Sequence, residues 1–470
     1  MLPALIAGCD VHGDSGPVVV SAIGGGPSYA ALANGNLPSR LLIDSTAQGL
    51  VRFDAAGQIE PGLAERWIVM DGGASYIFRL REAYWASGAR VTAPEVARLL
   101  ARRLRPRSRN PLLPFLTAVD EIVVMTPQVI ELRLKRPRPD LLKLFAQPEL
   151  ALLRPARAIG TGPFRIVEGG RTPLLRPAPD PRQIDPDEPR EPRPEDDVRL
   201  IGERAARAIA RFAGGHADMV LGGSFADWPL LATIDLPRRA ARLDPAAGLF
   251  GLGISRREGF LADAANRAVL SQAIDRAALT AAIVPQWEAA DRILPAALDS
   301  AAPPRVPSWS LLTLDQRRAA ARDRVAAWPE PVRLTLALPD GPGSNLLFTS
   351  LSRSLATIGI ALERTNPGTP ADLTLIDRVA PYDSARWYLA SACAPCSPEA
   401  VQALEAARDA PTTAERARQI AVADEALDAD AAFVPLARPL RWSLVAPRLT
   451  AWQPNARAWH PLNRLRNDTM

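Results

Sequence analysis

The sequence predicts an α/β fold, because short β-branched runs alternate with Ala-rich helical segments along most of the chain. A strand–helix–strand unit between residues 332 and 376 has the order of a crossover connection. The chain has 470 residues, of which 47% are hydrophobic and 23% are charged, so we expect two or three domains with sizeable cores. This composition excludes a disordered chain, a collagen-like repeat and a polytopic membrane protein.

The first half of the chain contains most of the predicted strands. They are residues 18–23, 41–43, 49–53, 67–70, 76–81, 121–125, 129–134 and 217–221. Thr92 is predicted to begin a helix with Pro94 in its first turn, and this helix should end near Leu104 because Pro106 cannot continue it. Residues 171–197 contain eight prolines and few apolar residues, so we expect an extended surface loop there.

Helices dominate the rest of the pattern. Apolar residues at helical spacing predict helices at residues 203–213, 266–284, 346–357 and 398–428. Alternating or β-branched runs predict strands at residues 332–338 and 360–363. The segment 398–428 is rich in Ala, Glu and Arg, which is typical of helices with one exposed face.

The charge balance gives little indication of a partner. Fifty-six basic and 51 acidic residues leave a net charge of +5, and only Lys135 and Lys143 are lysines, so the pI near 9.5 reflects a preference for arginine. No dense basic stripe is interleaved with aromatic residues, so nucleic-acid binding is not predicted.

The amino-terminal residues have the pattern of a bacterial lipobox. Leu5-Ile-Ala-Gly-Cys9 places an apolar residue and two small residues before a cysteine, and the polar, Gly-rich residues 10–17 suit a tether. The segment is too short to span a bilayer and lacks a basic leader, so we expect a complete signal to start further upstream. We expect Cys9 to carry a lipid anchor, the alternative being a chance occurrence of the pattern.

Cys393 and Cys396 are separated by two residues, a spacing that is compatible with three states. Outside the cytoplasm a local disulfide is favoured, whereas free thiols and a metal site remain open. His12, His216 and His460 are the only histidines, so a four-ligand zinc site would need distant residues, and we expect no bound metal. The same scarcity leaves no Ser-His-Asp, Cys-His or two-histidine metal constellation, so we expect neither an enzyme nor a cofactor.

Several motifs occur in a fixed order between about residues 17 and 445. They are residues 49–53 and 57–67, 76–81 and 91–96, the Gly-Thr-Gly-Pro-Phe turn within 159–164, 205–220, 266–276, 358–360 and 433–436. In this order and spacing they resemble the solute-binding proteins of peptide-type ABC importers, the extracytoplasmic solute-binding family 5.

The resemblance implies a two-lobed periplasmic-binding-protein-like fold of type II, in the peptide-binding cluster, with mixed sheets and a ligand cleft between lobes. The implied division is a lipobox and tether at 1–16, lobe I at 17–246, lobe II at 247–440, and a return to lobe I at 441–470. A cleft of this kind removes water from the ligand and strengthens its polar contacts, and the ligand favours the closed state by binding it better.

The function implied by the resemblance is capture without a covalent step. The solute, with oligopeptides as the leading class, would be delivered to the permease of an ABC importer. We expect a monomer that is held at the membrane by its lipid anchor, in the periplasm or at the cell surface.

In peptide-binding members of the family, a second-lobe strand ends in a W-x-A-D-Y motif whose Asp pairs with the peptide amino group. Here Arg378 replaces the Trp and Pro381 replaces the Asp, while Ala380 and Tyr382 keep their types. The amine-binding carboxylate is therefore absent from its usual position.

Neighbouring residues supply candidates for ligand contact. Asp377 or Asp383 could substitute for the lost carboxylate. A shift of one residue along a strand, however, turns the side chain to the opposite face. Arginines here would suit a carboxylate or phosphate, and aromatic residues could form apolar walls; solvated charges and core packing are the alternatives. The glycine loop after residue 23 lies where family members bring backbone close to the ligand. The candidates are Gly25, Gly26, Tyr29, Asp377, Arg378, Tyr382, Asp383, Arg386 and Trp387.

Two other classes of function remain open. One is a divergent binding or sensor protein with a non-peptide ligand. The other is a dinucleotide-binding oxidoreductase, because Gly24-x-Gly26 follows a strand and Asp44 lies 20 residues beyond Gly24. Tyr29 is too bulky for the third small position of that motif, and residues 34–38 are expected to end any helix early.

Overall fold

The structure, a computed structural model, describes residues 15–29, 35–108, 110–154, 160–178, 193–393 and 395–466. Within these ranges the strands are β1 (Val18–Ile23), β2 (Val51–Phe53), β3 (Ile59–Pro61), β4 (Ala64–Met70), β5 (Ser75–Leu80), β6 (Val119–Thr126), β7 (Val129–Leu134), β8 (Phe164–Glu168), β9 (Leu174–Pro177), β10 (Val198–Glu203), β11 (Met219–Ser224), β12 (Ala241–Asp244), β13 (Gly248–Ile254), β14 (Val332–Ala337), β15 (Ile360–Thr365), β16 (Leu373–Val379), β17 (Phe433–Ala437) and β18 (Arg441–Val445).

The helices of the described residues follow the same chain order. They are α1 (Leu37–Thr46), α2 (Ala93–Leu104), α3 (Leu142–Phe145), α4 (Ala205–Ala213), α5 (Ala264–Ala273), α6 (Arg276–Ala281), α7 (Leu314–Ala326), α8 (Pro342–Ala356), α9 (Ala385–Ala392), α10 (Pro398–Asp409) and α11 (Thr413–Asp430). None of these helices is both long enough and apolar enough to cross a bilayer.

A seven-stranded mixed sheet is the centre of the first lobe. Its order is β12-β18-β11-β1-β10-β9-β8, with β1 parallel to β10 and β11. Strand β1 is buried on both faces: Val20 packs into the large core that extends to the four-stranded sheet, and Val19 packs beside Ile209 of α4 and Trp442 of β18. Burial on both faces is why this strand reads as an uninterrupted β-branched run.

A five-stranded mixed sheet, ordered β15-β14-β16-β13-β17, is the centre of the second lobe. Strand β14 pairs in parallel with β15, and α8 connects the two, which confirms the predicted crossover unit. Helix α8 places Leu347, Leu351 and Leu355 in the core beside this sheet.

A four-stranded antiparallel sheet, β4-β5-β7-β6, extends from the first lobe. The rings of Tyr76 and Phe78 on its buried face lie edge-on to Phe145 of α3, with centroids 6.4 Å and 6.2 Å apart. These rings belong to the same continuous core as Tyr382 and Trp387, so this sheet is packed together with the layer of α9, α10 and α11.

The chain crosses between the two large sheets twice. It leaves the seven-stranded sheet after β12, enters the five-stranded sheet at β13 and returns to the first sheet as β18, which pairs with β11 and β12. The predicted boundaries at 246/247 and 440/441 remain predictions about which residues move as units.

Two sequence predictions are wrong. Residues 41–43 lie in α1 and do not form a strand, because the Asn36 side chain accepts a hydrogen bond from the Ser39 amide (3.0 Å) and Pro38 fits the first turn. Residues 34–38 were expected to end a helix, but α1 begins at Leu37. Part of the expected loop at 171–197 is strand β9, which pairs with β8 and β10, whereas residues 179–192 lie outside the described residues.

The Gly-Thr-Gly turn at residues 160–162 packs directly on the carboxyl end of α1. The Gly162 amide donates to the Thr46 carbonyl (3.1 Å), and a Cβ at residue 162 would lie 2.4 Å from the Ser45 carbonyl oxygen. Backbone cannot move away as a flexible side chain would, so only glycine fits this turn.

We expect Gly162→Ala to lower the free energy of unfolding by about 1–3 kcal/mol, because the methyl group overpacks two backbone segments. Chemical denaturation followed by circular dichroism measures the change. Gly169→Ala is the matched control, since a Cβ there meets nothing within 4 Å. Equal stability of the two variants would contradict the close packing of this turn.

Candidate functional site

The segment after β16 turns the chain into α9 between the two lobes. Asp299 fixes the start of this helix: its carboxylate accepts hydrogen bonds from the Ala385 amide (2.6 Å) and the Ser384 hydroxyl (3.0 Å). Arg416 on α11 donates to the same carboxylate (3.0 Å). A charged cap held by a third element therefore positions the side chains of α9.

Asp383 is the junction at which three parts of the chain meet. Its carboxylate forms ion pairs with Lys143 of α3 and with Arg457 of the carboxyl-terminal segment. Burial would raise the pKa of Asp383, but the hydrogen bond from Lys143 and the charge of Arg457 lower it below its usual value. Next to it, Gln147 Nε2 donates to the Pro381 carbonyl (2.8 Å). Asp383 is thus engaged within the protein.

The other candidates on β16 are placed differently. Asp377 pairs with Arg441 (2.8 Å), the first residue of β18. Arg378 is exposed and has no hydrogen-bond or ion-pair partner among the described residues. Neither aspartate beside Pro381 is therefore free to replace the missing amine-binding carboxylate.

A small pocket that is partly open to solvent lies between the four-stranded sheet and the layer of α9 to α11. Most of its polar lining is arginine, and the lining contains a single acidic residue. The lining residues are Phe115, Thr117, Ala118, Arg138, Asp140, Leu141, Tyr382, Arg386, Arg408 and Arg416.

The carboxyl end of α10 brings three of these arginines together. Arg138 donates to the carbonyl of Arg408, Arg386 donates to that of Leu404 (3.2 Å), and Arg416 donates to that of Ala407 (3.2 Å). The carbonyls of residues 407 and 408 belong to the last turn, which has no partners within the helix and carries the negative end of the helix dipole, so cations are stabilised there; the Leu404 carbonyl lies one turn earlier.

The lining arginines differ in how they are neutralised. Arg416 pairs with Asp299 and Arg408 pairs with Asp409. Burial lowers the pKa of Arg386 to about 10, and burial together with the charge of Arg416 does the same for Arg138. Arg138 and Arg386 have no carboxylate within 4.0 Å among the described residues.

Asp140 is the one acidic side chain of the lining. Burial raises its pKa to about 6, and the charge of Arg416 offsets only part of that rise. Its Oδ2 atom is buried and has no hydrogen-bond partner among the described residues. A carboxyl group of this kind changes its charge close to neutral pH.

The aromatic candidates have separate roles. Tyr382 is 3% exposed, lines the pocket and lies edge-on to Phe115 at 6.0 Å between centroids. Trp387 and Tyr388 pack against each other at 5.1 Å in the large core. Of the predicted apolar walls, only Tyr382 reaches the pocket.

The glycine loop after β1 lies apart from this pocket. Gly25 and Gly26 are exposed, and a Cβ at Gly26 would meet nothing within 4 Å. The Tyr29 hydroxyl hydrogen-bonds Thr46 of α1 (2.6 Å), and burial raises its pKa. The loop does approach Gly202, where a Cβ would lie 2.2 Å from the Gly25 carbonyl oxygen.

The dinucleotide alternative is not favoured by this geometry. Asp44 is half-buried, and its removal from water raises the pKa of its carboxyl group to about 6, with the charge of Arg52 as the main opposing effect. A carboxylate held inside the protein is not placed to bind a ribose. No group of three or more His, Cys, Asp or Glu residues suited to a metal ion occurs in the described part of the chain.

Two of the three cysteines lie in the part of the chain that the structure describes. Cys393 and Cys396 are joined in a disulfide just after α9, with their Cα atoms 4.9 Å apart. Cys9 lies outside the described residues.

Several pocket residues were missed by the sequence reasoning: Phe115, Arg138, Asp140, Arg408 and Arg416. Pro137 and Pro139 around Arg138 signal a rigid, exposed-looking turn, and nothing in the sequence places this turn opposite α10. Asp140 directly precedes Leu141 and Leu142, so it could have been singled out as a carboxylate beside a core.

Comparisons with known proteins agree with this architecture. A family model described as "Bacterial extracellular solute-binding proteins, family 5 Middle" matches residues 58–367. The chain is 35% identical over 82 residues to the probable deoxycholate-binding periplasmic protein YgiS of Escherichia coli K12, covering 17% of this chain and 15% of that protein. It is 25% identical over 150 residues to the glutathione-binding protein GsiB of Salmonella typhimurium, covering 29% of each chain. The matched segments thus span less than a third of these relatives.

Solved structures match over nearly the whole chain. The murein tripeptide binding protein MppA of Escherichia coli has a TM-score of 0.78 at 19% identity, covering 95% of this chain and 97% of that one. Haemophilus influenzae OppA in complex with the peptide RPPGFSPFR has a TM-score of 0.77 at 16% identity, covering 96% and 98%. At these identities the likeness establishes the fold, which is the expected two-lobed architecture.

The raised pKa of Asp140 predicts how the pH affects stability. Since the folded-state pKa of about 6 exceeds the unfolded value of 3.8, the ionised carboxylate lowers the free energy of unfolding as the pH rises between these values. Asp140→Asn avoids this cost, so we expect it to be more stable than the natural chain at pH 7.5 by about 3 kcal/mol, and by about half of that at pH 5.

Urea denaturation at the two pH values measures this difference. Asp120→Asn is the control, because Asp120 is an exposed surface residue for which stability should change by less than about 0.5 kcal/mol. A destabilised D140N variant at pH 7.5 would show that Asp140 stabilises the pocket as a charged group.

Proposed function

Because the chain belongs to family 5 of the bacterial extracellular solute-binding proteins, we propose that it captures a small solute between its lobes and delivers it to the permease of an ABC importer. The main support is the two-lobed fold shared with solute-binding proteins, in which a small pocket lies between the four-stranded sheet of the first lobe and helices α9 to α11. Elements from both sides line it, so a bound solute would be enclosed as the lobes close. Such a protein acts by binding and release.

Two polar contacts would hold the lobes together in the closed state. The ion pair between Lys143 and Asp383 and the hydrogen bond from Gln147 to the Pro381 carbonyl join α3 to the segment after β16. Each contact would break on opening and re-form on closing. A ligand that binds the closed arrangement better shifts the equilibrium towards it by its difference in affinity.

An oligopeptide is the leading ligand class, and the support comes from the fold and from what the solved relatives are named for. Pro381 at the position of the amine-binding carboxylate favours a second candidate, a non-peptide solute. The two neighbouring aspartates, Asp377 and Asp383, are already paired with arginine or lysine. Binding of a peptide would therefore depend on groups other than its amino terminus.

The compartment follows from the proposed role. A receptor for an importer works outside the cytoplasmic membrane, in the periplasm or at the cell surface, and acylated Cys9 would hold it there as a monomer.

Saturable ligand binding tests the proposed capture. We expect the emission of the ten tryptophans to change during titration with a set of tripeptides or of non-peptide solutes such as deoxycholate, because closure alters buried rings such as Trp387. Calorimetry on the same samples gives the heat of binding. Absence of both signals for every solute would contradict a working receptor.

Anchoring is tested by Cys9→Ala in a chain that carries a complete signal sequence upstream. We expect the variant to be released in soluble form, since the acyl chains that would hold it have no attachment site. Fractionation of cells, with the natural cysteine as control, measures the distribution. Unchanged membrane retention would eliminate the lipobox interpretation.

A further inference from the structure

We propose that Arg386 binds a carboxylate of the captured solute at the carboxyl end of α10. This inference rests on the proposed function, because it names the chemistry of the solute that the pocket takes. The site is formed by Arg386, Arg138, Tyr382 and Phe115, with Asp140 as the acidic residue at its edge. No amine-binding carboxylate is needed in this arrangement.

The hydrogen bonds of the lining arginines single out Arg386. Arg138 uses its two terminal nitrogens on the carbonyls of Pro137 and Arg408. Arg416 is bound by Asp299, Ser384 and the Ala407 carbonyl. Arg386 donates only from Nε, to the Leu404 carbonyl at 3.2 Å, and its two Nη groups have no partner among the described residues.

The position of the two Nη groups of Arg386 indicates what they can bind. Arg386 is 9% exposed and lines the pocket, and its two Nη groups are not among the buried polar atoms that lack a partner, so they keep contact with the solvent of the pocket. Buried guanidinium groups are normally matched by a carboxylate or by several hydrogen bonds. The two Nη groups at the end of a guanidinium match the two oxygens of a carboxylate in spacing and plane.

The electrostatic surroundings favour an anion over a cation. Four arginines and one aspartate line the pocket. Arg416 and Arg408 are like charges near Arg386 that add to burial in lowering its pKa, while Tyr382 and Asp409 act in the opposite direction. A bound carboxylate would relieve this repulsion, whereas a cation would increase it.

Aromatic contact holds the guanidinium in place. Arg386 lies over the ring of Phe115, with its central carbon 6.0 Å from the centroid. The Phe115 ring is in turn fixed edge-on by Tyr382. A group positioned by an Nε hydrogen bond and a ring contact loses little freedom when it binds a ligand.

Acetate and acetamide are suitable probes, because they share a shape and differ in charge. At constant ionic strength, acetate should raise the melting temperature of the natural chain and acetamide should not. Arg386→Gln should lower the apparent affinity for acetate about tenfold or more, because two charge-assisted hydrogen bonds are lost. Arg353→Gln, which removes an exposed arginine on α8, should respond to acetate as the natural chain does.

Arg386→Lys provides a second variant if Arg386→Gln does not fold. It keeps the positive charge and loses the planar pair of donors, so we expect intermediate acetate affinity. An acetate response that is equal in the natural chain, in R386Q or R386K, and in R353Q would overturn the assignment to Arg386.

Free-acid tripeptides and their carboxyl-terminal amides separate this inference from the receptor function. Tighter binding of the free acid, with the preference lost in R386Q, supports both. Equal binding of acid and amide overturns the carboxylate site and leaves the receptor. An acetate response that depends on Arg386, without binding of any tripeptide or deoxycholate, supports the anion site and contradicts solute capture.

Discussion

The unpaired carbonyls at the end of α10 are the constraint on which the site depends. Arg138 and Arg416 donate to carbonyls of the last turn, those of Arg408 and Ala407, and Arg386 donates to the Leu404 carbonyl one turn earlier. Because each arginine also contacts another element, the helix end holds the four-stranded sheet, α9 and α11 together. The pocket is the space that remains between these side chains, and its positive lining follows from the same requirement.

Carboxylates neutralise some of these arginines and leave others without an acidic partner, and this makes the lining of the pocket positive. Asp299 neutralises Arg416 and also caps α9, while Asp383 is shared between Lys143 and Arg457. The acidic residues near the family motif are therefore occupied in holding elements together. A site in which carboxylates serve the fold and arginines face the cavity is suited to an anionic group on its ligand.

Sequence reasoning was most successful where the local pattern decides the structure. The β1 run, the hairpin of β4 and β5, and helix α2 between Thr92 and Leu104 follow from periodicity, turns and proline positions. It failed at residues 41–43 and 174–177. At residues 41–43 the Asn36 cap starts a helix that includes the short apolar run. At residues 174–177 pairing with β10 makes part of a proline-rich segment a strand.

The sequence by itself determined many of the strands and helices and the ordered motifs that identify the family, because each of these depends on residues close together along the chain. Arg386 and Tyr382 were found as candidates by their place in one motif. Only the tertiary structure decided that Arg138, Asp140, Arg408 and Arg416 line the same pocket, and that Asp377 and Asp383 are already paired. Asp377 lies 64 positions from its partner Arg441, and Arg138 lies 270 positions from Arg408. Packing brings such distant charged groups within hydrogen-bond distance, and no local sequence pattern encodes which groups will meet.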